Sequence, residues 1–186
     1  MFFRQRLHIN ATIRPVLANI GISQFKDFSH YSGGALVSRP AKRRVRTLYL
    51  DVDGQRRKYF LKQAGSQSVQ EVVKAWCRFQ LPCSDVVRER SIIQLFHDHG
   101  IPVMNPVGWG ECKIFGCSRG GFMLVEEVVG QEFVEVYRAA SLRSRRRLLW
   151  VHGELMGTLH HQGIDSKVHP RDLICVSEDY ADFRKC

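Results

Sequence analysis

Two runs of strand-forming residues, 45–52 and 57–63, flank the dipeptide Asp53-Gly54, and no other feature restricts the fold so tightly. Glycine readily supplies the positive φ of a tight turn, so the two runs are predicted to pair as an antiparallel hairpin. Alternation puts Phe60 and Lys62 on one face of the second strand, and Tyr59 and Leu61 on the other. A strand-like stretch, 35–38, precedes the hairpin after a break at Gly33-Gly34. Pro40 and the basic run Lys42-Arg43-Arg44 read as the loop between. Upstream, a short helix is predicted over 15–20 with Gly21 as its stop, and the rest of 1–34 follows no clear period.

Two helical patterns come next. Ser68 is a predicted cap for a helix running to about Phe79. A second helix is predicted over 85–99, with Ser84 as N-cap, Asp85 at its positive end and Gly100 as its stop. Val86, Ile93 and Phe96 share one stripe of that helix, and Glu89 falls on the same stripe. A carboxylate there is costly unless paired, so Glu89 either lies at the stripe's edge or meets a cation. Residues 107–111 and 112–117 read as a hairpin, and 122–125 as a compact apolar strand ending at Glu126-Glu127. Ser141 opens a long helix with Leu148, Val151 or His152, Leu155 and Leu159 at helical spacing. Gly163 stops it, before a polar loop (164–172) and an apolar stretch (173–176). Strands carrying a helix, followed by a helical part, make an α+β architecture.

Charge narrows the partners. Lys and Arg number 28 against 18 acids, a formal charge of +10. Such a surface attracts polyanions: nucleic acid, anionic lipid head groups or phosphorylated glycans. No helix-turn-helix, zinc-finger or aromatic RNP pattern supports nucleic acid, which is therefore not an expected partner. No window resembles a membrane span, and no apolar core follows Met1-Phe2-Phe3-Arg4 as a secretory signal requires. The six cysteines show neither C-x-x-C nor zinc spacing and read as reduced thiols.

Three charged residues stand out against this background. Lys62 lies on a strand of interior type, Glu89 on the stripe of the following helix, and Asp172 in Pro170-Arg171-Asp172-Leu173 past the long helix. Phosphoryl transfer in kinase-like folds uses a strand lysine, a helix glutamate and a loop aspartate in this order.

Larger segments carry a resemblance. Gly33-Gly34 before the first strand, Tyr59-Phe60-Leu61-Lys62, the helix from Glu89 through Gly100-Ile101-Pro102, Phe122 to Glu127, and Arg171-Asp172-Leu173-Ile174-Cys175 together resemble the bacterial lipopolysaccharide kinases of the Kdo/WaaP type. These enzymes are relatives of the protein kinases. The resemblance implies a protein-kinase-like α+β fold: an N-terminal extension (1–34), an antiparallel-sheet N-lobe with one packed helix (35–127), and a hinge with the start of a helical C-lobe (128–186). It implies ATP and Mg²⁺ as cofactors and transfer of the γ-phosphoryl group to a sugar hydroxyl of the lipopolysaccharide inner core, Kdo or heptose. Lys62 would contact the α- and β-phosphates and Glu89 would position it. Glu126, Glu127 and Val128 would offer backbone groups to adenine. Asp172, with Arg171 beside it, would act on the sugar hydroxyl. The implied partner is an anionic glycolipid, and the implied location is cytoplasmic, at the inner face of the inner membrane.

The match departs from the family pattern in places. The loop 38–44 has no glycine, so phosphate contacts there would fall to backbone amides or to Lys42, Arg43 and Arg44. Pro170 separates His169 from Arg171, and Ser177 stands where protein kinases place a metal-binding Asn. Asp182-Phe183 follows Asp172 too closely for the second metal-binding Asp, which leaves the metal ligands unassigned. The expectation is a truncated form of a longer kinase with little turnover by itself. A catalytically inactive kinase-like binding module is the alternative, and a basic nucleic-acid-binding protein a third reading.

Overall fold

The computed structural model describes residues 3–38, 43–164 and 168–176. They fall into two units, Met1–Leu95 with Met104–Glu127, and Phe96–Val103 with Val128–Cys186. Among the described residues the first unit holds an antiparallel six-stranded sheet in the order β1-β5-β6-β4-β3-β2. Its strands are β1 (Phe3–Ile9), β2 (Leu36–Ser38), β3 (Arg43–Val52), β4 (Gln55–Ala64), β5 (Pro106–Ile114) and β6 (Cys117–Glu126).

The β3–β4 hairpin turns on Asp53 (φ 52°) and Gly54 (φ 74°), the pair of left-handed residues that a two-residue type I′ turn requires. The expected faces follow, with Tyr59 and Leu61 buried in the core. The second hairpin differs from expectation. Its turn is Phe115-Gly116, both at positive φ, so 106–114 is one continuous strand and 117–126 the other. Gly108 and Gly110 lie inside β5 and obscure its length in the sequence. At Gly110 a Cβ would come within 2.6 Å of the Phe122 ring, so glycine there serves close packing.

Residues 1–34, set apart by sequence, supply β1, α1 (Arg14–Asn19) and α2 (Phe25–His30) to this unit. β1 pairs with β5 from Phe3 to Ile9. Leu17 and Phe28 are fully buried with Tyr59, Leu61, Phe122 and Leu124, and the Phe28 and Phe122 rings stack at 4.1 Å. The Gln63 side-chain amide donates to the carbonyls of Phe28 (2.7 Å) and Tyr31 (3.0 Å), tying β4 to the end of α2. Asp27 accepts from the amides of Ser23 (3.0 Å) and Gln24 (2.7 Å), which hold its carboxyl below the usual carboxylate range.

Gly34, at φ 71°, lies so close to β3 that a Cβ would clash with the Thr47 carbonyl oxygen. Gly34→Ala should therefore destabilise by more than about 1 kcal/mol, because strain at positive φ adds to the clash. The thermal midpoint should fall by at least roughly 2–4 °C. An unchanged midpoint would contradict this packing.

Two helices lie between β4 and β5. α3 (Val69–Cys77) starts on the Ser68 capping box, in which the Glu71 carboxylate accepts from the Ser68 amide at 2.6 Å. α4 (Asp85–Asp98) buries Val86 and Ile93. Ser84 stands at its start, but not as a side-chain cap. Its carbonyl accepts from the Arg88 amide, its own amide donates to the buried Glu111 carboxylate at 2.9 Å, and its hydroxyl has no partner among the described residues.

In the second unit, α5 (Phe133–Ala139) and α6 (Leu142–His161) follow β7 (Gln131–Glu132). α6 begins at Ser141, whose hydroxyl accepts from the Ser144 amide, and it buries Leu148, Val151, Leu155 and Leu159. Val151, rather than His152, completes the stripe. β8 (Ile174–Cys175) pairs with β7, and Cys175 packs among Phe133, Val136 and Leu148. Gly130 passes so near that a Cβ would clash with the Cys175 carbonyl oxygen.

Candidate functional site

β4 runs between β3 and β6, with Lys62 opposite Val45 on one side and Met123 on the other. Its side chain leaves the sheet on the face away from Tyr59 and Leu61 and is 12% exposed. The Nζ lies 2.5 Å from Glu89 Oε1 and 3.3 Å from Met104 Sδ. Of the two fates the sequence left open for Glu89, the structure shows the pairing with a cation.

It shows a second cation as well. Glu89 Oε2 accepts from the Arg43 guanidinium at 2.5 Å. Arg43 and Arg44, expected in a loop, are the first residues of β3. Arg43 lies two residues before Val45, the partner of Lys62, so Arg43 and Lys62 project from the same face of adjacent strands. That register is the signal by which Arg43 can be found once the hairpin is known. One carboxylate thus bridges two cations by short, charge-assisted hydrogen bonds. The triad keeps one net positive charge, and the Arg43 Nε is buried with no partner among the described residues. Surplus charge and an unused donor suit an anionic oxygen, such as that of a polyphosphate.

Glu126 and Glu127 end the neighbouring edge of this unit. The Glu126 amide donates to the Asn105 carbonyl (3.2 Å) and the Glu127 amide to the Lys58 carbonyl (3.0 Å). Both amides are engaged within the unit. Their side chains are paired too, Glu126 with Arg57 at 3.3 Å and Glu127 with Lys58 at 2.5 Å. The Glu127 carboxylate holds the Lys58 ammonium above the ordinary lysine range. Val128 is the first residue of the second unit in that stretch.

Arg171 and Asp172 lie in the single 3₁₀ turn Pro170–Asp172 of the second unit. The Asp172 side chain is exposed, its amide donates to the His169 carbonyl (2.8 Å), and the next residue's carbonyl accepts from the Phe133 amide (3.0 Å). The β7–β8 ladder fixes the chain immediately beyond. Ser177 and Asp182-Phe183 lie outside the described residues, as does Lys42. Among the described residues no group of three His, Cys, Asp or Glu side chains gathers to fit a metal ion.

Known proteins resemble this chain over most of its length. The model of the Lipopolysaccharide kinase (Kdo/WaaP) family matches residues 31–172, a span that contains Arg43, Lys62, Glu89 and Asp172. The lipopolysaccharide core heptose(I) kinase WaaP of Escherichia coli (strain K12) is 25% identical over 128 residues, 66% of this chain and 48% of that protein. The protein of the same name from Pseudomonas aeruginosa (PAO1) is 27% identical over 128 residues, 66% of this chain and 47% of that one. The chain therefore spans about half the length of these curated relatives. A solved structure, WaaP in complex with acyl carrier protein, superposes with a TM-score of 0.56 at 22% identity, covering 83% of this chain and 56% of that one. That likeness supports the kinase-like α+β fold expected from the sequence. Since the family model spans most of the chain, this protein belongs to the lipopolysaccharide kinase (Kdo/WaaP) family.

Proposed function

We propose that the chain takes part in ATP-dependent phosphoryl transfer to a sugar hydroxyl, Kdo or heptose, of the lipopolysaccharide inner core. The observation that carries this reading is the Lys62–Glu89–Arg43 triad, with its surplus positive charge. Lys62 binds the α- and β-phosphates, and Glu89 fixes the direction of its ammonium. Arg43 supplies the charge that a glycine-rich loop leaves to backbone amides in other kinases. The backbone of Glu126, Glu127 and Val128 faces adenine. Asp172, on a turn shared with Arg171, receives the hydroxyl proton. The acceptor oxygen forms its bond to the γ-phosphorus as the bond to the β,γ-bridging oxygen breaks, and ADP leaves with that electron pair.

Magnesium is the ion that such kinases use with ATP. Among the described residues no three His, Cys, Asp or Glu side chains gather, and no residue is assigned to hold the ion. No described helix is long and apolar enough to cross a membrane. A cytoplasmic place, peripheral to the inner membrane, is part of the proposal and follows from the glycolipid acceptor.

Lys62→Met tests the nucleotide role directly. It keeps much of the stem and removes the charge, so ATP should bind roughly 10–100-fold more weakly by calorimetry. Unchanged affinity would remove Lys62, and with it the reading of the triad as a phosphate site.

A further inference from the structure

We propose that the outer face of α3 and the loop after it dock this protein on an anionic bilayer surface. α3 buries Val72 and Ala75, yet a second apolar stripe faces outward. Val69, Val73 and Trp76, at i, i+4 and i+7, fall within roughly 60° of one another at about 100° per residue. All three are exposed, Trp76 by 58%. The stripe runs on into the loop, where Phe79 is 100% and Leu81 86% exposed.

Phe79 is the decisive residue. The helix ends in a Schellman motif, with the Gln80 amide donating to the Ala75 carbonyl and the Phe79 amide to the Trp76 carbonyl, each at 2.9 Å. Phe79 therefore occupies the left-handed position, at φ 52°, where glycine is favoured and a bulky residue is strained. The ring makes no compensating burial. A locally disfavoured residue with a fully exposed ring marks something the fold itself does not use.

The segment is also held rigid at both ends. Ser68 caps the start of α3. Past Leu81, the Pro82 carbonyl accepts from Lys113 Nζ (2.9 Å) and the Cys83 carbonyl from the Gln67 side chain (2.8 Å). The Ser84 amide is held by Glu111. The apolar tip is thus presented by fixed backbone on either side.

Charge restricts the partner to an anionic surface. Lys74 and Arg78 are exposed on the same segment, and the chain carries +10 overall. Aromatic and aliphatic side chains flanked by cations suit a headgroup–acyl boundary, with the ammonium and guanidinium held at phosphate level. The choice of a bilayer over an acidic protein surface rests on the proposed glycolipid acceptor, which is anchored in a leaflet.

Co-sedimentation of the full chain with vesicles, without ATP, tests the assignment. Vesicles of phosphatidylcholine with phosphatidylglycerol should carry the protein down, and pure phosphatidylcholine far less. Phe79→Gly and Trp76→Ser should each lower partitioning about tenfold. Lys74→Glu with Arg78→Glu should abolish the preference for anionic vesicles. Phe79→Gly also separates docking from folding, because glycine suits the left-handed position and the thermal midpoint should hold or rise. Partitioning of Phe79→Gly and Trp76→Ser equal to that of the native chain would overturn the proposal. So would native protein that ignores anionic vesicles, a result that favours a protein partner instead. ATP affinity should be the same in all these variants. Vesicle binding by a chain that does not bind ATP would end the kinase reading and leave the docking surface standing.

Discussion

Glu89→Ala should slow phosphoryl transfer on the order of 100-fold while ATP binds as tightly as before, or more tightly. The reason is the charge count in the triad. Glu89 neutralises one of two cations, Lys62 and Arg43, which reach it from adjacent strands. Removing the carboxylate raises the local charge by one, so attraction to a polyphosphate does not fall. What is lost is direction. The Lys62 ammonium is no longer held, and two like charges repel where each had a short hydrogen bond. With side chains between 12% and 29% exposed, the stability cost should be about 1–2 kcal/mol. Arg43→Ala reverses the pattern. The Lys62–Glu89 pair survives and the local charge falls to zero, so ATP should bind about tenfold more weakly. Turnover at saturating ATP should change little. A salt bridge that merely stabilises the sheet would lower the midpoint in both variants and leave ATP affinity untouched in both. Equal loss of affinity in the two variants would also break the argument.

The elements that proved legible in the sequence are those in which one local signal outweighs its surroundings. Asp53-Gly54 fixes a two-residue turn, and the turn fixes the faces of β4, which sets Lys62 on the face away from Tyr59 and Leu61. Glu89 was legible because a carboxylate among buried apolar positions needs a cation. The failures share a cause, which is tertiary context acting where local pattern is weak. In β1 Phe3, Leu7 and Ile9 alternate with Arg4, Arg6 and His8, but the period is short and Ile9 alone is buried, so the strand depends on the edge that β5 offers. The basic run at Arg43 resembled a solvated loop. Its first described residue is in fact a strand position whose guanidinium reaches a helix forty-six residues away in sequence. Ser84 has the right residue type for a cap, but Glu111, from a distant strand, takes its amide and leaves the hydroxyl without a bond among the described residues. None of these partners lies within a helical turn or a hairpin of its mate.

Asp172→Asn should cut transfer to a Kdo- or heptose-bearing core acceptor by roughly 10²–10⁴-fold, the contribution of a positioned general base. ATP affinity should stay as in the native chain. The exposed Asp172 side chain sits on a turn whose backbone anchors are its own amide to His169, the Leu173 carbonyl to Phe133, and the β7–β8 ladder. Asparagine fills the same volume and leaves those anchors in place, but its amide cannot take the hydroxyl proton. Gly130→Ala supplies the contrast. Its Cβ would push on the Cys175 carbonyl and shift β8, moving the turn without changing its chemistry. That variant should lose both midpoint and transfer, whereas Asp172→Asn should lose transfer far more than midpoint. Undiminished transfer by Asp172→Asn would remove the aspartate from the chemistry. Native protein that binds ATP but phosphorylates no core acceptor would instead favour the kinase-like binding module, in which the triad holds nucleotide and Asp172 has nothing to deprotonate.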